Sequence, residues 1–228
     1  MNIETFKKEL EKLGITLSEN QLNQLELFYK LLISWNEKMN LTRITDKEEV
    51  YLKHFYDSLT LYKTIDLTKE MTLCDVGSGA GFPGIVLKIA FPNLKITLLD
   101  ALLKRVNYLN EIIKELKLQD IQAFHTRAED YLKNNIEVFD IVTARAVTNL
   151  KDLSELCIPM VKQDGYFVAM KANITEEIKE AKELIQLLGG EIAQIEHFEL
   201  PIEQSNRTLI KIKKINKTDI KCPKKKKK

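Results

Sequence analysis

Four glycines and two aspartates have the types and spacing that could form a ligand site. The glycines lie in the segment LCDVGSGAGFPG, residues 73–84, which begins as an apolar, strand-like run and ends in Pro-Gly. Glycine lets a ligand approach the backbone closely, and free N–H groups at the start of a helix favour anionic groups. Asp75 lies inside this segment, and Asp100 ends the next apolar run, KITLLD. This spacing predicts a ligand at the carboxyl ends of two neighbouring strands.

The residues around the glycines distinguish between ligands. A nucleoside triphosphate site would need Gly-Lys-Ser/Thr, whereas Gly-Phe-Pro-Gly is present here. A dinucleotide site usually has an apolar residue two positions before its first glycine, and here Asp75 takes that position. A carboxylate is unfavourable beside a pyrophosphate but favourable beside an ammonium or sulfonium cation. With Asp100 at a ribose, the pair predicts S-adenosylmethionine, although each aspartate alone could be an ordinary strand-end or helix-capping residue.

The first part of the chain, residues 1–66, is predicted to form a small helical subdomain. Apolar residues at spacings of three and four define a first helix that Gly14 ends. Ser18 and Gln21 fit a capping box that opens a second helix. A third helix is expected to begin near Asp46.

Residues 67–216 alternate between apolar β-runs and amphipathic helices. This alternation predicts an α/β, doubly wound, mostly parallel and Rossmann-like sheet with right-handed crossovers. The last two β-runs, EIAQIEHFEL and TLIKIKKI, are expected to form an antiparallel pair. Residues 217–228 form a basic tail that is expected to be disordered.

Composition is that of an ordinary globular protein, with 44% hydrophobic and 30% charged residues among 228. No run is long enough to span a membrane, the N-terminus lacks the apolar block of a signal peptide, and three cysteines form no CxxC pair. We therefore expect a cytoplasmic protein. The net charge of +2 depends on Lys224–Lys228, a run that either attracts RNA or only aids solubility.

Several segments together resemble one family. WNEKMNLTRI, HFYDS, DVGSGAGFPG, LLDALLKR, TRAED and TARA are similar to the bacterial 16S ribosomal RNA guanine-N7 methyltransferases, the RsmG or glucose-inhibited division protein B group. The resemblance covers nearly the whole chain except the closing lysines. It implies a seven-stranded S-adenosylmethionine-dependent methyltransferase fold and methylation of a guanine N7 in the 530 loop of 16S rRNA. The implied partner is the small ribosomal subunit or an assembly intermediate, and we expect a monomer.

The resemblance also implies a set of site residues. In the glycine turn, Gly77 and Phe82 would contact the cofactor, Asp100 the ribose, and Ala128 and Glu129 in TRAED the adenine. Arg145 in TARA would lie where the methyl donor meets the target base, which makes it the candidate residue near the methyl-transfer centre. The predicted cofactor-binding residues are Gly77, Gly79, Phe82, Asp75, Asp100, Ala128, Glu129 and Arg145.

The expected chemistry requires little of the protein's side chains. Guanine N7 has an in-plane lone pair and no proton, so positioning and electrostatics suffice and no general base is needed. An exocyclic amine would call for an Asn/Asp-Pro-Pro-aromatic motif, which is not found after the fourth strand. Cytosine carbon methylation would call for a nucleophilic cysteine, but Cys74 and Cys157 both have the pattern of core residues.

Four further polar residues are open to two interpretations each. His54 and Asp57 could suggest a metal or acid–base site, but without a third ligand nearby a structural hydrogen bond or interdomain contact is favoured, and no metal is expected. Lys171 and Arg207 either hold RNA phosphates or are solvated strand ends.

Two other function classes remain as alternatives. An NAD-linked oxidoreductase would need a Tyr-x-x-x-Lys pair, which residues 100–170 do not supply. A non-catalytic RNA- or ribosome-binding protein on a methyltransferase fold is disfavoured by the presence of Asp75, Asp100 and the glycines.

Overall fold

The structure is a computed structural model that describes residues 1–145, 147–172 and 174–218. The predicted basic tail, 217–228, lies outside the described residues except for Lys217 and Thr218. The lysine run and its expected disorder therefore stay predictions.

The N-terminal region is helical, as predicted. Its helices begin at the expected caps: the Asn2 side chain caps α1, Ser18 and Gln21 form a full capping box on α2, and Asp46 caps α3. Gly14, with φ of +80°, follows the end of α1. The third helix is not uniform, because a π-helical segment, Tyr51–Tyr56, separates α3 from α4. The bounds are α1 Ile3–Lys12, α2 Glu19–Met39, α3 Lys47–Val50 and α4 Asp57–Leu59, followed by a 3₁₀ turn at Thr60–Lys63.

A seven-stranded sheet follows, with the order β3-β2-β1-β4-β5-β7-β6. The first five strands are parallel, and β7 pairs antiparallel with both β5 and β6, which confirms the predicted sheet and its last strand pair. The strands are β1 Thr72–Val76, β2 Lys95–Asp100, β3 Ile121–His125, β4 Phe139–Arg145, β5 Val161–Lys171, β6 Gly190–Glu199 and β7 Asn206–Lys214. The connecting helices are α5 Gly84–Ala90, α6 Leu103–Glu115, α7 Ala128–Leu132, α8 Leu150–Cys157 and α9 Thr175–Leu187.

Two apolar clusters cover the two faces of the sheet. The larger one joins the N-terminal helices, through Phe6 and Phe28, to α5, α6 and residues such as Leu98 of β2. The other contains Cys74 and Cys157, which are fully buried against α8 and α9. Burial raises the pKa of both thiols, as expected of core cysteines that are not nucleophiles. The N-terminal helices thus share a continuous core with one face of the sheet.

Within the described residues, no helix combines the length and the apolar character needed to cross a membrane.

Candidate functional site

The glycine turn connects β1 to α5 at the position that the sequence predicts. Three of its glycines have positive φ: Gly77 at +76°, Gly79 at +57° and Gly81 at +94°. The N–H groups of Gly77 and Ser78 both donate to the Leu99 carbonyl, at 2.8 and 3.0 Å, which fixes the turn against the end of β2. β1 lies between β2 and β4, and the strands that follow it in the chain are added first on one side of β1 and then on the other. This switch point is where open α/β sheets bind their ligands.

Asp75 lies beneath the turn and is fully buried. Its Oδ2 accepts the Gly84 N–H at 2.9 Å, so the carboxylate ties the first residue of α5 to β1. Its Oδ1 has no hydrogen-bond partner among the described residues. Burial raises the pKa of Asp75 to about 6, against the opposing effects of the Gly84 N–H and the Arg145 charge. Asp75 therefore anchors the turn from below and retains one unsatisfied buried oxygen.

The raised pKa of Asp75 predicts a pH dependence of stability. The folded-state pKa of Asp75, about 6, lies above the ordinary aspartate value of 3.8, so this group favours the fold most at low pH, and its contribution is lost as pH rises through 6. At 1.36 kcal/mol per pKa unit, the loss is about 3 kcal/mol. We expect Asp75→Asn to remove this dependence, so the difference in unfolding free energy between variant and wild type should change steadily from pH 4 to pH 7.

Denaturant unfolding of both ligand-free proteins across this pH range measures the effect. If the unfolding free energies of Asp75→Asn and wild type change with pH in parallel, Asp75 has the same pKa in the folded and unfolded states.

Asp100 is nearly buried at the end of β2, beside the turn. Its Oδ2 accepts the Gly79 N–H and its Oδ1 accepts the Leu102 N–H, both at 2.9 Å. Arg105 Nη1 lies 3.6 Å from Oδ2. Each carboxylate oxygen has two lone pairs, so both can accept a further hydrogen bond. Asp100 thus fixes the glycine turn and keeps acceptor capacity for a ligand.

A cleft of about 180 Å³ brings four of the predicted residues together: Gly77, Asp100, Ala128 and Glu129. Ala128 and Glu129 are the first residues of α7, where backbone N–H groups have no partner within the helix. Val147 also lines the cleft, and a Cβ placed on Gly77 would come within 2.7 Å of Val147 Cγ2. Glycine at position 77 therefore keeps the cleft open. The acidic, amide and apolar groups lining the cleft match a nucleoside.

Phe82 and Arg145 lie on the other side of the turn. The Phe82 ring is buried, stacks on His54 at a centroid distance of 4.4 Å and packs 5.4 Å from Phe28. The Arg145 guanidinium lies over the same ring, at 5.1 Å. The ring of Phe82 therefore faces the N-terminal helices, and Phe82 does not line the cleft.

Arg145 joins the sheet to the helical region. Its Nη1 donates to Asp57 Oδ2 at 2.9 Å and to the Lys53 carbonyl at 3.2 Å, in the π-helical segment. His54 Nε2 lies 2.9 Å from the Thr42 hydroxyl. Burial, with the Arg145 charge as a second cause, lowers the pKa of His54 to about 3. His54 and Asp57 thus make hydrogen bonds of the structural kind that the sequence favours. The described part of the chain contains no cluster of three metal-ligating side chains.

A second cavity, of about 500 Å³, opens between these helices and the ends of β4, β5 and β7. Its charged lining includes Lys53, Arg145, Lys171 and Arg207, and its apolar lining includes Met170 and Phe198. The interpretation of Lys171 and Arg207 as solvated strand ends is wrong, because Lys171 Nζ pairs with Glu177 at 2.8 Å and Arg207 Nε with Asp57 at 2.9 Å.

The sequence patterns do not predict this cavity. Asp57 and Arg207 are recognisable separately but no signal pairs them, and no pattern marks Lys53, Met170 or Phe198. The run HFYDS, which contributes to the family resemblance, was the available signal that this helix borders a site.

The sheet order and the glycine turn at its switch point define a protein of the methyltransferase fold class. Solved structures of that class share the fold. One is a SAM dependent methyltransferase from Aquifex aeolicus, with TM-score 0.54 and 19% identity over 76% of this chain and 96% of that one. Another is TrmN from Thermus thermophilus, with TM-score 0.55 and 16% identity over 69% of this chain and 48% of that one.

Comparison with proteins of similar sequence identifies the family within this fold class. The model of the GidB family, described as rRNA small subunit methyltransferase G, matches residues 21–209. The chain is 52% identical to the ribosomal RNA small subunit methyltransferase G of Bacillus pumilus and 53% identical to that of Bacillus licheniformis, in each case over 99% of this chain and 95% of the relative. The chain belongs to the GidB family of rRNA methyltransferases.

Proposed function

We propose that this enzyme transfers a methyl group from S-adenosylmethionine to N7 of a guanine in the 530 loop of 16S rRNA. Its membership in the GidB family is the observation that supports the reaction class most strongly. The cleft lined by Gly77, Asp100, Ala128 and Glu129 supports a nucleoside-containing cofactor. The substrate is the small subunit or an assembly intermediate, and the active form is a monomer. The rRNA target supports a cytoplasmic location.

The described residues fit S-adenosylmethionine. Asp100 would hold the ribose hydroxyls, and the first residues of α7, Ala128 and Glu129, would border the adenine. Asp75 has an unsatisfied buried oxygen and would favour the positive end of the ligand. When bound, the cofactor supplies a sulfonium methyl group as the electrophile.

The chain itself would position the reactants and exclude water. N7 of guanine has no proton to lose, so no side chain has to act as a base. The nearby groups agree with this: His54 has its pKa lowered to about 3, and Cys74 and Cys157 are buried thiols with raised pKa values. The work of the protein is then to orient the base in line with the methyl group.

The two alternatives have less support. A dinucleotide would place its pyrophosphate over the turn, above the buried carboxylate of Asp75. A non-catalytic RNA-binding protein would not need the cleft or the positive-φ glycines that keep it open.

Mass mapping of 16S rRNA from cells with and without the gene tests the proposed reaction. One methyl group should be lost from a single guanine of the 530 loop in the deleted strain and restored by the wild-type gene. Identical methylation in both strains would reject the proposal.

Calorimetry tests the cofactor separately. We expect S-adenosylmethionine and its demethylated product to bind in the micromolar range, because the cleft offers carboxylate and amide partners along a nucleoside. NAD and ATP should give no heat under the same conditions. Saturable NAD binding that S-adenosylmethionine displaces would contradict this assignment.

A further inference from the structure

Asp57, the first residue of α4, lies between two arginines from different strands. Its Oδ2 accepts from Arg145 Nη1 and its Oδ1 accepts from Arg207 Nε, each at 2.9 Å. The side chains are 8%, 14% and 21% exposed for Asp57, Arg145 and Arg207 respectively. One carboxylate on the helical region thus fixes two guanidinium groups at the ends of β4 and β7.

Within ion-pair distance, this cluster contains one more positive than negative charge. Among the described residues Asp57 is the one carboxylate paired with the two arginines, and His54, whose pKa is lowered, is uncharged. The Asp75 carboxylate acts on Arg145 from beyond ion-pair distance and leaves Arg207 without a second acidic partner. The other two cations of the cavity already have acidic partners. Lys53 Nζ lies 2.9 Å from Glu49 and 3.0 Å from Glu203, and Lys171 pairs with Glu177. A poorly hydrated excess positive charge is costly unless an anion joins it.

The arginines also retain hydrogen-bond donors. Arg207 uses Nε for Asp57 and Nη1 for Ser205 and Asn206, and Nη2 has no partner among the described residues. Arg145 Nη2 has only a long contact of 3.4 Å with His54 Nδ1. Planar guanidinium groups with free N–H donors suit the oxygens of a phosphate.

The adjoining cavity has room for more than an anion. Its volume is about 500 Å³, and Met170, Phe198 and Leu209 give it apolar walls next to the arginines. A nucleic-acid base turned out of its stack requires such a pocket, with apolar or aromatic contacts for its faces. Inorganic phosphate alone would leave these walls unused.

We propose that Arg145 and Arg207 bind a backbone phosphodiester of the target nucleotide, that its base enters the 500 Å³ cavity, and that Asp57 is the positioning residue that holds both arginines. This inference rests on the proposed rRNA methyltransferase function. It assigns the target nucleotide to this cavity and the cofactor to the 180 Å³ cleft. Arg145 of the cavity and Gly77 of the cleft lie at the ends of the paired strands β4 and β1, so N7 would meet the methyl group between them.

The first test replaces Arg207 with Gln, which leaves the Asp57–Arg145 ion pair in place. We expect the Kd for 16S rRNA, measured with the demethylated cofactor present, to rise at least tenfold. The slope of log Kd against log salt should decrease by about 0.7–0.9, as expected for one lost phosphate contact. The Kd of the variant for S-adenosylmethionine, measured by the calorimetric titration described above for the cofactor, should stay within about twofold of wild type.

Lys213→Gln is the matched control, since Lys213 also lies on β7 but pairs with Asp164, outside the cavity.

The second test separates positioning from charge. Asp57→Asn leaves both arginines charged but removes the carboxylate that holds them. We therefore expect kcat/KM for 16S rRNA to fall at least tenfold, while the slope of log Kd for rRNA against log salt stays near that of wild type. Asp57→Glu, which restores the carboxylate, should recover part of the loss. Thermal unfolding of each variant identifies those that remain folded.

The outcomes separate the two proposals. If wild-type protein methylates no rRNA, the proposed function fails and this inference fails with it. If wild type methylates 16S rRNA but Arg207→Gln behaves like Lys213→Gln in both Kd and salt slope, only the phosphate site is rejected. If Asp57→Asn keeps full kcat/KM, or Asp57→Glu recovers nothing, Asp57 is not a positioning residue.

Discussion

Replacing Asp100 with Ala is expected to lower the affinity for S-adenosylmethionine at least tenfold. The carboxylate would accept hydrogen bonds from two ribose hydroxyls, and each bond to a charged acceptor contributes roughly 1.5–3 kcal/mol. The substitution has a second effect, because the N–H groups of Gly79 and Leu102 would also lose their acceptor. We therefore expect a lower melting temperature as well as weaker binding.

Asp100→Asn is the matched variant for this experiment. It keeps one carbonyl oxygen for the backbone, so it should fold better than Asp100→Ala while still losing the charged acceptor. Calorimetric titration of both variants, with thermal unfolding alongside, separates binding from stability. If folded Asp100→Asn and Asp100→Ala both bind the cofactor as tightly as wild type does, the ribose is held by another residue.

Replacing Gly84 with Ala is expected to destabilise the fold by about 2–3 kcal/mol, the upper part of the range of about 1–3 kcal/mol that is usual for an overpacked core. Alanine is normally the better helix residue, but here a Cβ would come within 2.3 Å of Leu98 Cδ2 and 2.8 Å of Asp75 Oδ2. Leu98 is fully buried and has little room to move. The displaced Asp75 carboxylate would also lose its hydrogen bond from Gly84.

Gly79→Ala provides the control for this effect. A Cβ there meets nothing closer than the Gly77 carbonyl at 3.8 Å, so only the positive φ of 57° opposes it, at a cost of about 1–2 kcal/mol. Denaturant unfolding should rank the two variants, with Gly84→Ala the less stable. The reverse ranking would show that the space at Gly84 relaxes easily.

Much of the fold could be predicted because it depends on local patterns. Strand-like runs alternating with amphipathic helices define the sheet, and the capping box of Ser18 and Gln21 marks the start of α2. The strand–turn–helix unit around Gly77 follows from glycine spacing alone. The π-helical segment, Tyr51–Tyr56, could not be predicted, because its buried side chains pack against residues distant in sequence, such as Phe28 and Phe82. The domain boundaries after residues 66 and 216 stay predictions.

The site could be predicted only in part, for a related reason. Gly77, Asp100, Ala128 and Glu129 follow strand ends, and parallel strands bring such ends to one edge of the sheet. The contacts of Asp57 with Arg145 and Arg207 span 88 and 150 residues of sequence, and no local pattern pairs them. The direction of the Phe82 ring depends likewise on Phe28 and His54, far away in sequence.

Phe82 belongs to two parts of the molecule at once: its backbone completes the glycine turn, and its ring packs among Phe28, Phe55 and His54 of the helical region. Contacts of this kind contribute about 0.5–1.5 kcal/mol for each aromatic pair beyond the apolar area that they bury. The helical region is therefore not an interchangeable module. Recombination that exchanged it for another substrate-recognition segment would also disturb the cofactor turn, so the two parts are constrained to evolve together.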